Sequence, residues 1–300
     1  MHIALTNLEK TFETSILSPV YDDLLTQHQI ELWFKRDDLL HHIISGNKWR
    51  KLKYSLNHAL SIDTKTLISM GGIYSNHLHA LAFVGKALGL KTIGLVRGEC
   101  PAQLTPTLQD LLDWGMKLQF VSRTNYRQLR QYQSWQDLPQ LKPKQYWIPE
   151  GGAQPLALAG ITELVNEISI PYDLLCAPCG TGTTLAGMIK AVPAHASVLG
   201  FSALNHAQFL TDDISKLLPH SYGNWQINFD YHFGGFAKTS TELLTFIDDF
   251  ESKTGIPLEP IYTGKMLYAL YDLIAKKHFK PGMKIIALHT GGLQGNRGSS

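Results

Sequence analysis

From residue 66 onward, apolar runs alternate regularly with amphipathic segments. The run TLISMGG (66–72) has the β-branched and apolar residues of a buried strand. The segment SNHLHALAFVGKALG (75–89) has apolar residues at helical spacing, with a serine at its start and a glycine at its end. KTIGLVRG (91–98), PTLQDLLDWG (106–115) and KLQFVS (117–122) then repeat the order strand, helix, strand.

The second half of the chain continues this alternation. The predicted elements are the helix LALAGITELVNEI (156–168), the strand DLLCAPCG (173–180), the helix TTLAGMIKAV (183–192), the strand SVLGFSAL (197–204), the helices QFLTDDISKLL (208–218), TELLTFIDDFESK (241–253) and GKMLYALYDLIAKK (264–277), and the strand KIIALHTGG (284–292). Such alternation predicts an α/β fold in which parallel strands are covered by helices on both faces. The Gln-rich segment 124–146 is predicted to be a peripheral helix and a connector.

Composition narrows the class of protein. Of 300 residues, 44% are hydrophobic and 17% charged, which is enough for a sizeable core. The formal charge of +2 comes from 27 basic and 25 acidic residues spread along the chain, so neither a nucleic-acid partner nor a membrane partner is indicated. Glu9, Lys10 and Glu13 interrupt the N-terminal segment, and no run reaches the roughly 18 apolar residues of a membrane span. We therefore predict a cytoplasmic protein.

The three cysteines agree with a reducing compartment, because an odd and small number does not make a disulfide framework. Cys176 and Cys179 form a C-x-x-C, but there is no second pair to complete a zinc site. We interpret them as a buried strand-end residue and a loop residue, and no metal site is predicted.

A lysine stands in an unusual place in SGNKWRKLKY (45–54). Trp49 and Leu52 have helical spacing after a Ser-Gly-Asn loop, so Lys48 is predicted to lie in the first turn of a helix. The helix dipole disfavours a cation there, and the preceding Gly46 would let another group approach closely. The alternative is that the basic residues of this segment form only a solvated face.

Ligands of open parallel sheets bind at the carboxyl ends of the strands, and two strand-end loops resemble anion sites. In GGIYSNHLHA (71–80), Ser75 or Asn76 is either a helix N-cap or part of a cradle for a carboxylate. CGTGTTLAG (179–187) is neither a P-loop nor a dinucleotide loop. Its glycines and threonines at a helix start suit a single phosphate, with a capped turn as the alternative.

Two further loops complete the set. Tyr262 in LEPIYTGKM (258–266) precedes a helix, and Thr290 in KIIALHTGG follows a strand. Either residue alone is ordinary packing or turn chemistry. Together with a loop lysine, a phosphate loop and a carboxylate loop, however, they make the combination that a pyridoxal 5'-phosphate enzyme needs.

At these residues the chain resembles the fold-type II pyridoxal phosphate enzymes, in the family of 1-aminocyclopropane-1-carboxylate deaminase and D-cysteine desulfhydrase. The resemblance lies in KRDDLLHHIISGNKWRKL, YSNHLHALA, GTGTTLAG, EPIYTGKM and HTGG, in order along nearly the whole chain. It implies a parallel-sheet three-layer sandwich with a larger cofactor domain (1–45 plus 151–300) and a smaller domain (46–150). It also implies a homodimer.

The resemblance assigns roles to individual residues. Lys48 would form the Schiff base with pyridoxal 5'-phosphate and handle the α-proton, and Lys48, Ser75 and Tyr262 are the predicted catalytic residues. The predicted contacts are Asn76 with the 3-oxygen of the cofactor, Gly180, Thr181, Gly182, Thr183 and Thr184 with its phosphate, Thr290 with its pyridine nitrogen, Ser75, Asn76 and His77 with the substrate carboxylate, and Tyr262 with the substrate.

The implied function is β-elimination from a small amino acid, D-cysteine or a relative, to give pyruvate, ammonia and sulfide. A neutral threonine at the pyridine nitrogen suits elimination, and Ala287 stands where the deaminases resemble one another in a second tyrosine. The alternatives are the ring-opening deaminase or another amino-acid dehydratase or racemase. Tyr74 and His79 depart from the usual glutamine and arginine of the family, so a cofactor-binding protein without robust catalysis is a non-enzyme alternative.

Overall fold

The structure is a computed structural model, and it describes residues 1–298. The strands are β1 (Leu17–Val20), β2 (Glu31–Lys35), β3 (Thr66–Gly71), β4 (Lys91–Arg97), β5 (Lys117–Val121), β6 (Gln145–Ile148), β7 (Leu174–Cys179), β8 (Ser197–Ser202), β9 (Trp225–Asn228) and β10 (Lys284–Leu288). The helices are α1 (Ile3–Glu9), α2 (Asp23–His28), α3 (Asn47–Ser61), α4 (Asn76–Ala87), α5 (Pro106–Asp113), α6 (Arg123–Leu129), α7 (Pro155–Asn166), α8 (Thr183–Ala191), α9 (Phe209–Leu217), α10 (Thr241–Thr254) and α11 (Thr263–Ala275). Short 3₁₀ segments cover Asp37–Leu39, Glu150–Gly152 and Leu293–Gly298.

The strands form two sheets, with the orders β1-β2-β10-β7-β8-β9 and β5-β4-β3-β6. Neighbouring strands run parallel except β1, which is antiparallel to β2 at the edge of the larger sheet. Pro19 lies in this edge strand, where its missing N–H is tolerated. The predicted α/β class with parallel sheets is confirmed. The smaller sheet lies wholly within the segment 46–150, while the domain boundaries themselves stay predictions.

Helices cover both faces of the larger sheet, which confirms the predicted three layers. In β10, Ile285 and Ala287 pack into the cluster formed with α10 and α11. The alternate residues Ile286 and Leu288 pack into the cluster formed with α7 and α8. Successive side chains of a strand point to opposite faces of the sheet, so the short apolar run of β10 contributes side chains to two hydrophobic cores.

The sequence did not predict α1, β1, α2 and β2, which all precede residue 36, nor the short edge strands β6 and β9. β6 and β9 have four residues each and lie at sheet edges, too short for a period to show. The start of β6 lies within the segment predicted as a connector, although the predicted helix before it is present as α6. Cys179 was predicted to lie in a loop and is instead the last, buried residue of β7.

The basic residues of α3 are not a solvated face. Arg50 and Lys51 are buried, and the Arg50 guanidinium contacts Glu167 at 2.5 and 2.6 Å and Asp37 at 3.1 and 3.2 Å. Lys53 pairs with Glu163 at 2.8 Å. These ion pairs join α3 to α7 and to the segment after β2, so they fix the helix that carries Lys48.

Candidate active site

The four loops singled out in the sequence meet at one cavity of about 590 Å³. Three of them follow β3, β7 and β10, and the loop of Tyr262 joins α10 to α11. Parallel strands end at the same edge of a sheet, so loops far apart in sequence converge there. The predicted residues that line the cavity are Lys48, Ser75, Asn76, His77, Gly180, Thr181, Gly182, Thr184, Tyr262 and Thr290. Thr183 lies just behind this wall, buried, with its hydroxyl 3.1 Å from that of Thr181.

Lys48 lies in the first turn of α3, as predicted, and its side chain faces the cavity. Burial lowers the pKa of its amine to about 8, although the Glu259 carboxylate acts in the opposite direction. Part of the amine is therefore neutral near pH 8, and a neutral amine can act as nucleophile or base.

Asn47 connects this lysine to the glycine-threonine turn. Its Oδ1 accepts a hydrogen bond from Lys48 Nζ at 2.5 Å, and its Nδ2 donates to Thr184 Oγ1 at 2.8 Å. Only one amide group therefore separates the amine from the turn. The sequence analysis assigned no role to Asn47, because only the fold brings residue 184 beside it.

The turn between β7 and α8 has the form of a phosphate site. Gly182 adopts a left-handed conformation with φ of 76° as the N-cap of α8. Among residues 1–298, the amides of Thr181, Thr183 and Thr184 have no hydrogen-bond acceptor. Such amides, at the positive end of a helix dipole, favour an anion.

Lys51 adds a cation beside this turn, and the sequence analysis missed it. A β-carbon built on Gly151 would lie 3.6 Å from Lys51 Nζ and 3.2 Å from Thr181 Oγ1, so amine and hydroxyl approach one another across this glycine. Burial, followed by repulsion from Lys48, lowers the pKa of Lys51 to about 7. Within the described residues its amine makes no ion pair or hydrogen bond, so an incoming phosphate would supply its counter-charge.

The loop after β3 places Ser75 at the start of α4. The Ser75 hydroxyl accepts from Leu78 N at 3.2 Å, so the N-cap interpretation is confirmed. The amides of Asn76 and His77 have no acceptor elsewhere in residues 1–298. Both residues line the cavity, so these two free donors are compatible with the predicted carboxylate site.

The His77 ring is neutral and tied to the smaller sheet. The Ser69 hydroxyl donates to the Ile148 carbonyl at 2.7 Å, so its oxygen accepts from His77 Nε2 at 2.9 Å. Burial, then the charges of Lys51 and Lys48, lowers the pKa of His77 to about 3. The Nδ1 atom is thus an unprotonated acceptor, and any carboxylate bound by this residue would use its backbone N–H.

Tyr262 is held in place by a buried carboxylate that the sequence analysis did not single out. Glu259 accepts the backbone N–H groups of Ile261, Tyr262 and Thr263 at 2.8, 2.9 and 2.6 Å, at the start of α11. The Tyr262 ring lies against Gly180, where a β-carbon would come within 3.1 Å of Cε1. Burial raises the pKa of Tyr262 well above its usual range, so its phenol stays protonated.

The three positions at which this chain departs from the family pattern lie in different environments. Tyr74 lines the cavity and is exposed, which adds a second phenol to the wall. His79 is buried outside the lining, with Nε2 2.9 Å from Asp110. Ala287 packs in the core under α11 and does not line the cavity. A tyrosine at position 287 would therefore not face the substrate from this backbone.

The residues present fit a small phosphorylated aldehyde such as pyridoxal 5'-phosphate. The unpaired amides of the turn and Lys51 suit a dianionic phosphate. Lys48 supplies an amine one amide group away, and buried Thr290 supplies a neutral hydroxyl. Cations also outnumber carboxylates around the wall. The cations are Lys48, Lys51, Arg97, Arg130 and Lys238, and the carboxylates are Glu150 and Glu259.

Comparison with known proteins agrees with this geometry. The model of the family described as pyridoxal-phosphate dependent enzyme matches residues 18–291. A protein of Arabidopsis thaliana, named bifunctional D-cysteine desulfhydrase/1-aminocyclopropane-1-carboxylate deaminase, mitochondrial, is 31% identical over 88% of this chain and 73% of its own length.

Two solved structures share the fold. The crystal structure of a homologue of 1-aminocyclopropane-1-carboxylate deaminase is 26% identical, has a TM-score of 0.78, and is matched over 99% of this chain and 97% of the other. A hydrogen sulfide-producing enzyme from Fusobacterium nucleatum has a TM-score of 0.66 at 14% identity, with 98% of this chain and 99% of the other covered. The second likeness shows the fold alone.

Proposed function

Because this chain belongs to the pyridoxal-phosphate dependent enzymes, in the fold-type II family of 1-aminocyclopropane-1-carboxylate deaminase and D-cysteine desulfhydrase, we propose that it is a β-elimination lyase. The proposed substrate is D-cysteine or a similar small amino acid. One D-cysteine and one water would give one pyruvate, one ammonia and one sulfide, so no oxidant or reductant is required.

The observation that carries this proposal is the bridge made by Asn47. It joins the Lys48 amine to Thr184 through hydrogen bonds of 2.5 and 2.8 Å. One small molecule can therefore reach both the amine and the amides of the turn. Had the two places been remote from each other, a shared cofactor would have been impossible.

The bound cofactor supplies an electron sink for negative charge at the substrate α-carbon. The chain supplies the acid and base groups. Lys48, with a pKa lowered to about 8, is suited to take the α-proton near neutral pH. The protonated phenol of Tyr262 can donate a hydrogen bond or a proton to the departing sulfur. Thr290 offers the pyridine nitrogen a hydroxyl rather than a carboxylate, and a neutral partner suits elimination.

The amides of Asn76 and His77 are the proposed site for the substrate carboxylate. They would hold the amino acid with its α-carbon toward Lys48, since both residues line the same cavity. The neutral His77 ring and the buried Ser69 behind it add no charge to this part of the wall. A small neutral side chain such as the thiol of cysteine is compatible with that wall.

The ring-opening deaminase is the second candidate. The Arabidopsis relative carries both activities in its name. Ala287 does not decide between them, because it is outside the cavity, and Tyr74 gives the wall a second phenol besides Tyr262. Products distinguish the two reactions, since ring opening yields 2-oxobutyrate and elimination from cysteine yields pyruvate and sulfide.

The test is a substrate panel with the purified protein loaded with pyridoxal 5'-phosphate. We expect pyruvate and sulfide from D-cysteine, with slower turnover of L-cysteine and 1-aminocyclopropane-1-carboxylate. Formation of 2-oxobutyrate without pyruvate would replace the lyase by the deaminase, and enantiomer exchange alone would indicate a racemase. Lys48→Ala should abolish turnover and the absorbance of the covalently bound cofactor, whereas Lys53→Ala in the same helix should keep both.

We further propose that the protein is cytoplasmic, as its sequence predicts, and that it is a homodimer, as the family resemblance implies. Within residues 1–298, no helix is long and apolar enough to cross a membrane. Light scattering of the purified protein would measure the mass, for which a dimer is expected at twice 33.5 kDa. Elution at the mass of one chain over the working concentration range would contradict the dimer.

A further inference from the structure

The 3₁₀ segment Leu293–Gly298 follows β10 and crosses to the start of α4. There, Gln294 Nε2 donates a hydrogen bond to Asn76 Oδ1 at 2.5 Å. Asn76 lines the cavity and Gln294 does not. A residue outside the cavity wall thus holds one end of an amide that forms part of the wall.

Other contacts fix the position of Gln294 without involving the cavity. Asn296 Nδ2 donates to the Leu258 carbonyl at 3.3 Å, and Gly295 N donates to the Gly292 carbonyl at 2.9 Å. Arg297 forms an ion pair with Asp110 of α5. The segment is therefore held at several points, and Gln294 reaches Asn76 from a defined backbone position.

The bond determines which end of the Asn76 amide faces the cavity. Gln294 takes the oxygen, and Asn76 Nδ2 lies 2.7 Å from the point where a β-carbon on Gly292 would be. Both Gly292 and Glu259 line the cavity beside it. Within residues 1–298, Asn76 Nδ2 has no acceptor, so this N–H is available to a bound molecule.

We propose that Gln294 is a positioning residue that orients the Asn76 amide so that its N–H, rather than its carbonyl, faces the bound cofactor. This inference rests on the proposed function through the predicted contact between the Asn76 side chain and the 3-oxygen of the cofactor. An N–H donor stabilises that oxygen in its deprotonated form, whereas a carbonyl in the same place would favour the protonated form. Gln294 would therefore tune the ionisation of the cofactor without touching it.

Three substitutions separate orientation from mere contact. Gln294→Lys keeps a donor toward Asn76 Oδ1, Gln294→Met removes the bond, and Gln294→Glu offers only an acceptor, which reverses the amide. For each variant, the dissociation constant of pyridoxal 5'-phosphate and the pH titration of its bound absorbance are measured. We expect Lys to stay within about twofold of the wild type, Met to weaken binding about 2- to 12-fold, and Glu to shift the titration upward by about one pH unit or more.

Controls in the same segment account for charge and for general disturbance. Asn296→Glu places the same charge in the turn without facing Asn76, so any titration shift it causes is subtracted. Asn296→Ala tests the turn itself and is expected to leave the titration unchanged. If Asn296→Ala weakens cofactor binding as much as Gln294→Met, Gln294 has only a structural role and the inference fails. Since Gln294 is half-exposed, the Gln294→Met and Gln294→Lys variants should fold. If Gln294→Glu does not fold, the comparison of Met with Lys is sufficient to test the inference.

Asn76→Ala separates failure of the inference from failure of the site. If that variant binds and titrates the cofactor as the wild type does, Asn76 does not contact the ring and the proposed site is wrong. If Asn76→Ala alters the titration while the Gln294 variants all match the wild type, the site is correct and the positioning role is refuted.

Discussion

Gly46 and Thr290 lie in direct backbone contact, although 244 residues separate them along the chain. A β-carbon on Gly46 would lie 1.9 Å from the Thr290 carbonyl oxygen, and Asn47 N donates to the same oxygen at 3.4 Å. Gly46 also has φ of 69°. The glycine before the lysine thus lets the start of α3 approach the end of β10, which brings Lys48 to the edge where the cavity forms.

Replacing Gly46 with alanine should therefore destabilise the protein for two reasons. A backbone with φ of 69° and ψ of −149° costs a residue other than glycine about 1–3 kcal/mol, and the clash with Thr290 adds to it. Gly89→Ala is the matched control, because Gly89 has φ of 66° and open space around it. In urea unfolding we expect a loss of about 1–2 kcal/mol for Gly89→Ala and a clearly larger loss, with weaker cofactor binding, for Gly46→Ala. Equal losses in the two variants would show that the contact with Thr290 is unimportant.

Asn47→Ala should weaken cofactor binding without unfolding the protein. It removes the hydrogen bonds to Lys48 and Thr184, each of which contributes about 0.5–1.5 kcal/mol. We expect the dissociation constant of pyridoxal 5'-phosphate to rise roughly tenfold, as measured by fluorescence titration. Asn57→Ala, which changes the same residue type in the same helix away from the cavity, should leave it unchanged. A wild-type constant for Asn47→Ala would show that the bridge does not contribute to cofactor binding.

Lys51→Met should have opposite effects on stability and on cofactor binding. The pKa of Lys51 is about 7 in the fold and about 10.4 when unfolded. The unfolded chain therefore binds more protons between these values, and the stability of the cofactor-free protein rises with pH across that window. Removing the amine should stabilise the cofactor-free protein at pH 6 by about 1 kcal/mol or more, with the gain shrinking toward pH 10.

The same variant should bind pyridoxal 5'-phosphate about tenfold or more weakly, because a charge-assisted bond to phosphate is lost. Lys53→Met is the control, since Lys53 pairs with Glu9 and Glu163 rather than facing the cavity. Loss of stability at pH 6 in Lys51→Met would contradict the conclusion that burying the charged Lys51 amine destabilises the protein. Unchanged binding of pyridoxal 5'-phosphate would contradict the role of Lys51 at the phosphate.

The rate of cofactor capture should follow the ionisation of Lys48. Only the neutral amine attacks an aldehyde, and burial lowers the pKa of this amine to about 8. We expect the rate constant for appearance of the bound-cofactor absorbance to rise with pH and level off above about 8, as measured by stopped flow. A rate that continues to rise through pH 10, as for a lysine in water, would refute the lowered pKa.

Local patterns were sufficient for the long elements and for the loops of the site. Lys48, Ser75, Thr181, Tyr262 and Thr290 stood out because each is a chemically capable residue at a strand end or helix start. The short edge strands β6 and β9 were missed because four residues show no period and are defined by their partners.

The residues missed at the site have a common reason. Asn47, Lys51 and Glu259 acquire their roles from groups distant in sequence: Asn47 from Thr184, Lys51 from Thr181 across Gly151, and Glu259 from the cavity that its helix borders. In the sequence alone, a helix rich in basic residues and a glutamate just before a helix are both common patterns. The solvated-face interpretation of α3 failed for this reason, since Glu167 and Asp37 neutralise Arg50 only in the folded chain.

The sequence by itself determined the α/β class and the order of most elements, and it singled out Lys48 as the predicted reactive lysine, because periodicity and turn chemistry act over a few residues. Tertiary structure alone decided how close the lysine lies to the glycine-threonine turn, which amines have a lowered pKa, and which end of the Asn76 amide Gln294 holds. Those properties depend on distance and burial, and both are set by chain segments that meet only after the two sheets have formed.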